Sequence, residues 1–151
     1  MTAGLHFELR HFDLLSPLEL YALLRLRQEV FVIEQHCPYL DADGVDLHCW
    51  HLLGRDAAGA LQAYLRLVPP GIKYAEPSIG RVISSGEVRG SGAGRALMAE
   101  GVSHASRLFP GQGIRISAQA RLRRFYEDFD FVAEGDEYLE DDIPHVEMVR
   151  R

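Results

Sequence analysis

The glycines between residues 86 and 94 are the residues of this chain whose spacing points most directly to chemistry. The segment reads Gly86-Glu87-Val88-Arg89-Gly90-Ser91-Gly92-Ala93-Gly94, and Arg95 follows it. Glycines let backbone N–H groups approach a ligand closely, and a helix that begins there adds unpaired N–H donors and a partial positive charge. Arg89 and Arg95 add formal charge. The pattern therefore predicts a turn that binds phosphate groups.

Two common phosphate-binding motifs do not fit this turn. A dinucleotide fingerprint starting at Gly90 requires Gly or Ala at position 95, where the chain has Arg95. A Walker loop requires Lys followed by Ser or Thr after the last glycine, and the chain has Arg95-Ala96 there. An ordinary glycine-rich turn without a ligand remains as the alternative.

Residues 36–51 contain many potential metal ligands, but their spacing does not match a known metal site. The candidates are His36, Cys37, Asp41, Asp43, Asp46, His48, Cys49 and His51. The segment has no C-x-x-C pair, and its aspartates lack the closing Glu of a calcium loop. We therefore expect no metal, and we expect Cys37 and Cys49 to be reduced thiols.

The elements around the glycines must hold them in place, and their patterns predict a strand, a turn and a helix. Residues 78–84 read as the strand, 86–94 as the turn and 95–109 as the helix. The other predicted elements are a strand at 6–12, a helix that begins at Pro17 after an N-cap at Ser16, a hairpin of 49–53 and 60–68, a strand at 114–118, a short helix at 121–128, and closing strands at 131–138 and 146–150. This order predicts one mixed α/β domain over residues 1–151 with a largely antiparallel sheet.

Composition and charge limit the function classes. The 151 residues are 47% hydrophobic, enough for one sizeable core, and carry a formal net charge of −6. This charge argues against a general nucleic-acid binder or a protein of anionic membranes. The chain has no apolar run near the roughly 20 residues that span a bilayer, and residues 1–8 lack the profile of a signal peptide. We therefore expect a cytoplasmic protein.

The segment Arg89-Gly90-Ser91-Gly92-Ala93-Gly94 resembles the acyl-CoA loop of the GNAT acetyltransferases, which reads Arg or Gln, two residues, Gly, one residue, then Gly or Ala. Gln119 and the pair Phe125-Tyr126 follow in the order of that family. Residues 26–39, 43–46 and 138–146 look like its ElaA-type branch. The resemblance implies the GNAT acyl-CoA N-acyltransferase fold, with two splayed parallel strands where CoA enters, and acetyl-CoA as co-substrate without a metal.

The resemblance also assigns residues to the CoA site. Val82, Ile83 and Ser84 would bind the pantetheine arm through their backbone. The pyrophosphate would lie against Arg89, Gly90, Ser91, Gly92, Ala93, Gly94 and Arg95, mainly at their backbone amides. Gln119 stands where the family commonly has Asn, and Asp130 stands where it usually has Gly.

Tyr126 is the candidate general acid, since family members often place a tyrosine here to protonate the departing CoA thiolate. An acceptor amine must also lose a proton, and Glu34 and His51 are the candidate bases. Each has a structural alternative: Tyr126 as a packing residue, Glu34 as a surface carboxylate, and His51 as a hydrogen-bonded core residue.

The expected function is transfer of an acetyl group from acetyl-CoA to a primary amine by direct attack in a ternary complex. The alternative is a non-catalytic acyl-CoA-binding sensor or interaction module. The acidic charge favours cationic amines such as polyamines, aminoglycosides or lysine side chains. The sequence leaves the oligomeric state open, a homodimer included.

Overall fold

The computed structural model describes residues 4–151 of the chain. Over this range it has seven strands and three α-helices. They are β1 (His6–His11), α1 (Pro17–Arg27), β2 (Trp50–Arg55), β3 (Leu61–Val68), β4 (Ser78–Ser84), α2 (Ala93–Leu108), β5 (Ile114–Gln119), α3 (Arg123–Glu127), β6 (Val132–Glu140) and β7 (Ile143–Arg150).

The strands form two antiparallel sheets that meet at β4 and β5. The first sheet has the order β1-β2-β3-β4 and the second the order β5-β7-β6. At the start of both strands, the N–H of Arg115 donates to the carbonyl oxygen of Pro77 at 3.0 Å. Further along, side chains of β4 and β5 line the same cleft. The predicted antiparallel sheet and the splay between two strands are therefore confirmed.

Helices cover both faces of the first sheet. Leu23 and Leu26 of α1 pack with Leu53, Tyr64 and Ile83 on one face. On the other face, Leu97 and Met98 of α2 pack with Leu65, Ile79 and Ile116. Gly101 lets α2 approach closely, since a Cβ atom there would lie 2.7 Å from Cδ2 of Leu65. This packing holds α2 firmly behind β4.

The first helix begins as its sequence predicts. Ser16 and Glu19 form a reciprocal capping box, with Glu19 N donating to Ser16 Oγ at 3.1 Å and Ser16 N donating to Glu19 Oε1 at 2.9 Å. After Arg27 the chain continues as a π-helical segment over Gln28–Glu34. The helix that begins at Pro17 thus consists of two successive helical forms.

Several predicted boundaries were wrong by one to three residues. The second helix begins at Ala93 rather than 95, because Gly92 with φ +90° serves as its N-cap. The predicted helix 121–128 divides into a 3₁₀ turn over Ala120–Leu122 and α3. The closing strands extend to Glu140 and from Ile143, because Asp141 and Asp142 make a tight turn with φ of +51° and +61°. Within residues 4–151, no helix is both long and apolar enough to cross a membrane.

Candidate active site

A cleft opens where β4 and β5 separate. One wall consists of residues 79–82 of β4, and the opposite wall includes Ile116, Ser117 and Gln119 of β5. Tyr126 of α3 completes the inner end of the cleft. The cleft therefore lies at the same edge of the fold as the glycine-rich turn, which directly follows β4.

The glycine-rich turn leaves the N-terminus of α2 open to a ligand. Gly90 and Gly92 have φ of +80° and +90°, a region that glycine reaches without strain. Among the described residues, no side chain caps α2, and its first turn has no acidic residue. Because α2 has 16 residues, its first N–H groups combine free donors with a positive helix end. The local structure is suited to an anionic group.

Arg89 and Arg95, which flank this turn, are both held by carboxylates. Arg89 Nη2 lies 2.6 Å from Glu34 Oε1, and its Nε donates to the carbonyl oxygen of Ser84 at 3.2 Å. Arg95 Nη2 lies 2.9 Å from Asp128 Oδ2, at the end of α3. The first contact joins the π-helical segment to the turn, and the second joins α2 to the helix that carries Tyr126.

Tyr126 is buried and lines the cleft. Its ring makes edge contacts with Phe125 and Phe131, with centroids 5.1 Å and 6.1 Å away. Burial raises the pKa of Tyr126 to about 12, so the phenol keeps its proton at neutral pH. Its hydroxyl forms no hydrogen bond with another residue of the described chain. The predicted general acid is therefore a protonated hydroxyl in the wall of the cleft.

The structure does not bring the two predicted bases into the cleft. Glu34 has 42% of its side chain exposed and lies against Arg89 outside the cleft lining. His51 is fully buried, with Nδ1 2.5 Å from Tyr64 Oη and Nε2 3.0 Å from the carbonyl oxygen of Asp46. Burial lowers the pKa of His51 and keeps the ring neutral. A catalytic role for either residue stays a prediction. The contacts seen here are those of a surface carboxylate for Glu34 and of a hydrogen-bonded core residue for His51.

The remaining predicted CoA residues divide between cleft and core. Val82 lines the cleft, whereas the side chain of Ile83 packs in the core beneath α1. Gln119 faces the cleft, where its Nε2 donates to Gln35 Oε1 at 3.4 Å and its Oε1 accepts from Arg121 Nε at 3.1 Å. Gln119 thus links β5 to Gln35, the residue that follows the π-helical segment, across the opening.

The outer end of the cleft lies between the loop after the π-helical segment and the β6–β7 turn. Tyr39 Oη donates to Asp142 Oδ2 at 2.6 Å, and Cys37 Sγ lies 3.8 Å from the carbonyl oxygen of Asp141. Glu140 also lines this end. Cys37 and Cys49 are free thiols, and Cys49 is buried. The acidic hairpin turn is thus one wall of the entrance.

Comparison with known proteins decides the family. Residues 70–151 match the model of the acetyltransferase (GNAT) domain. The chain belongs to the GNAT family. It is 46% identical over 142 residues to the UPF0039 protein sll0451 of Synechocystis, which covers 94% of this chain and 92% of that protein.

Two solved structures agree with this family, and one of them is ElaA, which places the chain in the ElaA-like branch. An acyl-CoA N-acyltransferase from Pseudomonas aeruginosa has a TM-score of 0.93 and 46% identity, covering 97% of this chain and 99% of that one. Escherichia coli ElaA has a TM-score of 0.91 and 38% identity, with the same coverage. The resemblance inferred from the glycine-rich turn is therefore confirmed, and the chain is a GNAT-type acyltransferase.

A buried ion network beside the GNAT cleft was not predicted. Arg27 and Arg66, with 0% and 1% of their side chains exposed, share the carboxylate of Asp46 at 2.7 and 2.8 Å. Further ion pairs at 2.8 Å are Arg27–Asp41, Arg66–Asp43 and Arg81–Asp41. The partners lie 14 to 40 residues apart in the chain, so no local pattern predicts them. The aspartates that looked like metal ligands are instead the counterions of buried arginines.

Proposed function

We propose that this chain transfers an acetyl group from acetyl-CoA to a primary amine of a small molecule or a protein. One arrangement carries the proposal: the cleft between β4 and β5 has the protonated Tyr126 in its wall, and α2 begins uncapped at the same edge. A thioester needs a binding groove, a donor for the leaving thiolate and a site for phosphates. This edge of the fold offers all three.

The residues around the cleft fit acetyl-CoA. The free N–H groups at Gly92, Ala93 and Gly94 are suited to its pyrophosphate, with Gly90, Ser91, Arg89 and Arg95 beside them. Between Tyr64 and Arg66 the register shifts by one, so that Arg81 and Val82 of β4 together face Leu65. This bulge leaves β4 backbone groups without a ladder partner in the cleft wall. These groups can form hydrogen bonds with the pantetheine arm and the thioester carbonyl. Ile83, Ser84 and Gln119 would contribute to the same binding site.

Acetyl-CoA, when bound, supplies an activated acyl group as a thioester. The amine nitrogen forms a bond to the carbonyl carbon, and the carbon–sulfur bond breaks. An N–H group of the β4 bulge stabilises the negative charge on the carbonyl oxygen during the attack. The Tyr126 hydroxyl gives its proton to the departing sulfur and regains one from solvent. The high pKa of Tyr126 favours this role, since the phenol holds its proton until the thiolate forms.

Thermal unfolding with ligands tests acetyl-CoA binding first. Ligand at about 100 times its Kd adds roughly 2.7 kcal/mol to the free energy of unfolding, or about 5–10 °C in Tm for a domain of this size. We expect this shift with acetyl-CoA and CoA but not with NAD or ATP. Absence of any shift at millimolar CoA would mean that the glycine-rich turn is structural, and would remove both the enzyme and the sensor hypothesis.

Replacing Tyr126 by Phe then separates an enzyme from a sensor. The variant should keep the Tm shift with acetyl-CoA but release thiol from acetyl-CoA at about one hundredth of the wild-type rate, measured with spermidine, kanamycin A and Nα-acetyl-lysine as acceptors. Tyr21→Phe is the matched control, since Tyr21 is 69% exposed on α1. Equal rates in wild type and Tyr126→Phe would remove Tyr126 from the mechanism. No thiol release by wild type despite CoA binding would favour the sensor.

A further inference from the structure

We infer that His145 removes the proton of the acceptor amine and that Glu140 holds the ammonium group beside it. This inference rests on the proposed acetyl transfer and assigns a general base within the cleft lining, to which neither Glu34 nor His51 belongs. His145 lies near the start of β7 and lines the cleft together with Tyr126. His145 is buried, and its imidazole ring lies in the cleft wall.

The hydrogen bonds of His145 fix which ring nitrogen can accept a proton. Nδ1 lies 2.7 Å from the carbonyl oxygen of Ile143, which can only accept a hydrogen bond. In the neutral ring Nδ1 therefore carries the hydrogen, and Nε2 carries the lone pair. His51 is fully buried and its two nitrogens contact Tyr64 Oη and the carbonyl oxygen of Asp46, whereas the group near His145 Nε2 is the partly exposed carboxylate of Glu140 at 3.4 Å.

Glu140 is placed to hold a cation next to this lone pair. Its Oε2 lies 3.4 Å from His145 Nε2, and its Oε1 accepts from Ser117 Oγ at 3.3 Å. Both side chains line the cleft, and 46% of the Glu140 side chain stays exposed to an incoming ligand. An ammonium ion bound by Glu140 would lie within reach of Nε2. After proton transfer the same carboxylate stabilises the imidazolium ion.

The strands around His145 hold its ring in one orientation. Gln119 of β5 and Tyr138 of β6 are its cross-strand partners, so their side chains lie on the same face of the sheet. The Tyr138 ring stacks on the imidazole, with the ring centroids 6.1 Å apart and an interplanar angle of 26°. The Tyr138 hydroxyl forms a hydrogen bond with Ser117 Oγ. Titratable and charged groups face or border this site from each neighbouring strand and loop: Tyr138 and Glu140 of β6, Glu147 of β7, Arg115 of β5, Arg66 of β3, Arg81 of β4, Tyr126 of α3, and Cys37, Tyr39, Asp41, Lys73, Tyr74 and Asp141 of the loops.

The ammonium nitrogen loses two protons during acetyl transfer. The ammonium group gives one proton to His145 Nε2, which later releases it to solvent. The neutral nitrogen attacks the thioester, the carbon–sulfur bond breaks, and Tyr126 protonates the sulfur. The second proton lost by the nitrogen goes to solvent, while Tyr126 recovers one. The net products are the amide, CoA with a free thiol, and one proton.

The test is the variant His145→Asn, with His145→Gln as a second variant. Asn can keep a donor near the carbonyl of Ile143 but offers no proton acceptor in place of Nε2. We expect an unchanged Tm shift with acetyl-CoA and a turnover lowered about 10²-fold with the best of three amine acceptors: spermidine, kanamycin A or Nα-acetyl-lysine. Between pH 7 and 9 the rate of the variant should rise about tenfold per unit, because only the already neutral amine reacts. The wild-type rate should rise much less steeply.

Two further variants separate catalysis from structure. Glu140→Gln should raise KM for the amine more than it lowers kcat, because the carboxylate binds the cation. His6→Gln is the matched control, on a side chain with 76% exposure, and should behave as wild type. Turnover of both His145 variants within twofold of wild type, with the same pH dependence, would overturn the inference while leaving acetyl transfer intact. If wild type releases no thiol with any acceptor, the proposed function fails and this inference falls with it.

Discussion

Replacing Asp46 by Asn should lower the free energy of unfolding by about 3–5 kcal/mol, the usual effect of removing one partner from a buried ion pair. Asp46 accepts from Arg27 Nη1 at 2.7 Å and from Arg66 Nη1 at 2.8 Å. Both guanidinium groups are buried, so neither can turn to water when the charge is removed. Asp41 and Asp43 remain, each shared between a buried arginine and Arg81, so three guanidinium groups would then face only two carboxylates.

This loss is large enough to measure by urea or thermal unfolding. For a chain of this size, 3–5 kcal/mol corresponds to a decrease in Tm of about 6–20 °C. Asp13→Asn is the matched control, since 79% of the Asp13 side chain is exposed, and its effect should stay within about 0.5 kcal/mol. If Asp46→Asn unfolds within about 1 kcal/mol of wild type, the buried arginines do not depend on Asp46 and the reasoning is wrong.

Two further predictions concern charge. Burial alone would raise the pKa values of Asp43 and Asp46, but hydrogen bonds from Arg66 and Arg27 outweigh burial and lower both pKa values. The two ionised carboxylates therefore contribute stability above about pH 4, the pKa of an unfolded Asp. This stability is lost as the pH falls through their lower pKa values in the folded protein. Urea midpoints should decrease on acidification, and less steeply in Asp46→Asn; equal slopes would contradict this. Glu34→Gln should tighten CoA binding by about 1.4- to 5-fold in titration calorimetry at low salt, because it releases Arg89 from an exposed ion pair worth about 0.2–1 kcal/mol. Weaker or unchanged binding would contradict this, and Glu29→Gln, whose exposed partner is Arg25, is the control.

The sequence predicts those parts of the fold and site that depend on local chemistry. Ser16 and Pro17 mark the first helix because capping needs only neighbouring residues, and the glycines mark the α2 N-terminus for the same reason. The surroundings of a predicted base are not local in this sense. Position along the chain favours Glu34 and His51, but whether a side chain has a free nitrogen or oxygen in the cleft depends on partners such as Tyr64 from another strand.

The ion network and the acyl-transfer cleft are one structural unit. Arg81 forms part of the β4 bulge with φ of +53°, a conformation that costs a non-glycine residue of order 1 kcal/mol or more. Its guanidinium donates to Asp41 at 2.8 Å and to the carbonyl oxygen of the same residue at 3.0 Å. Asp41 in turn binds the buried Arg27 of α1, so the helix, the cleft loop and the bulge are joined through one carboxylate. An apolar contact would fill the same space, but it would not fix the direction of the β4 backbone groups, which is what the attack on a thioester requires.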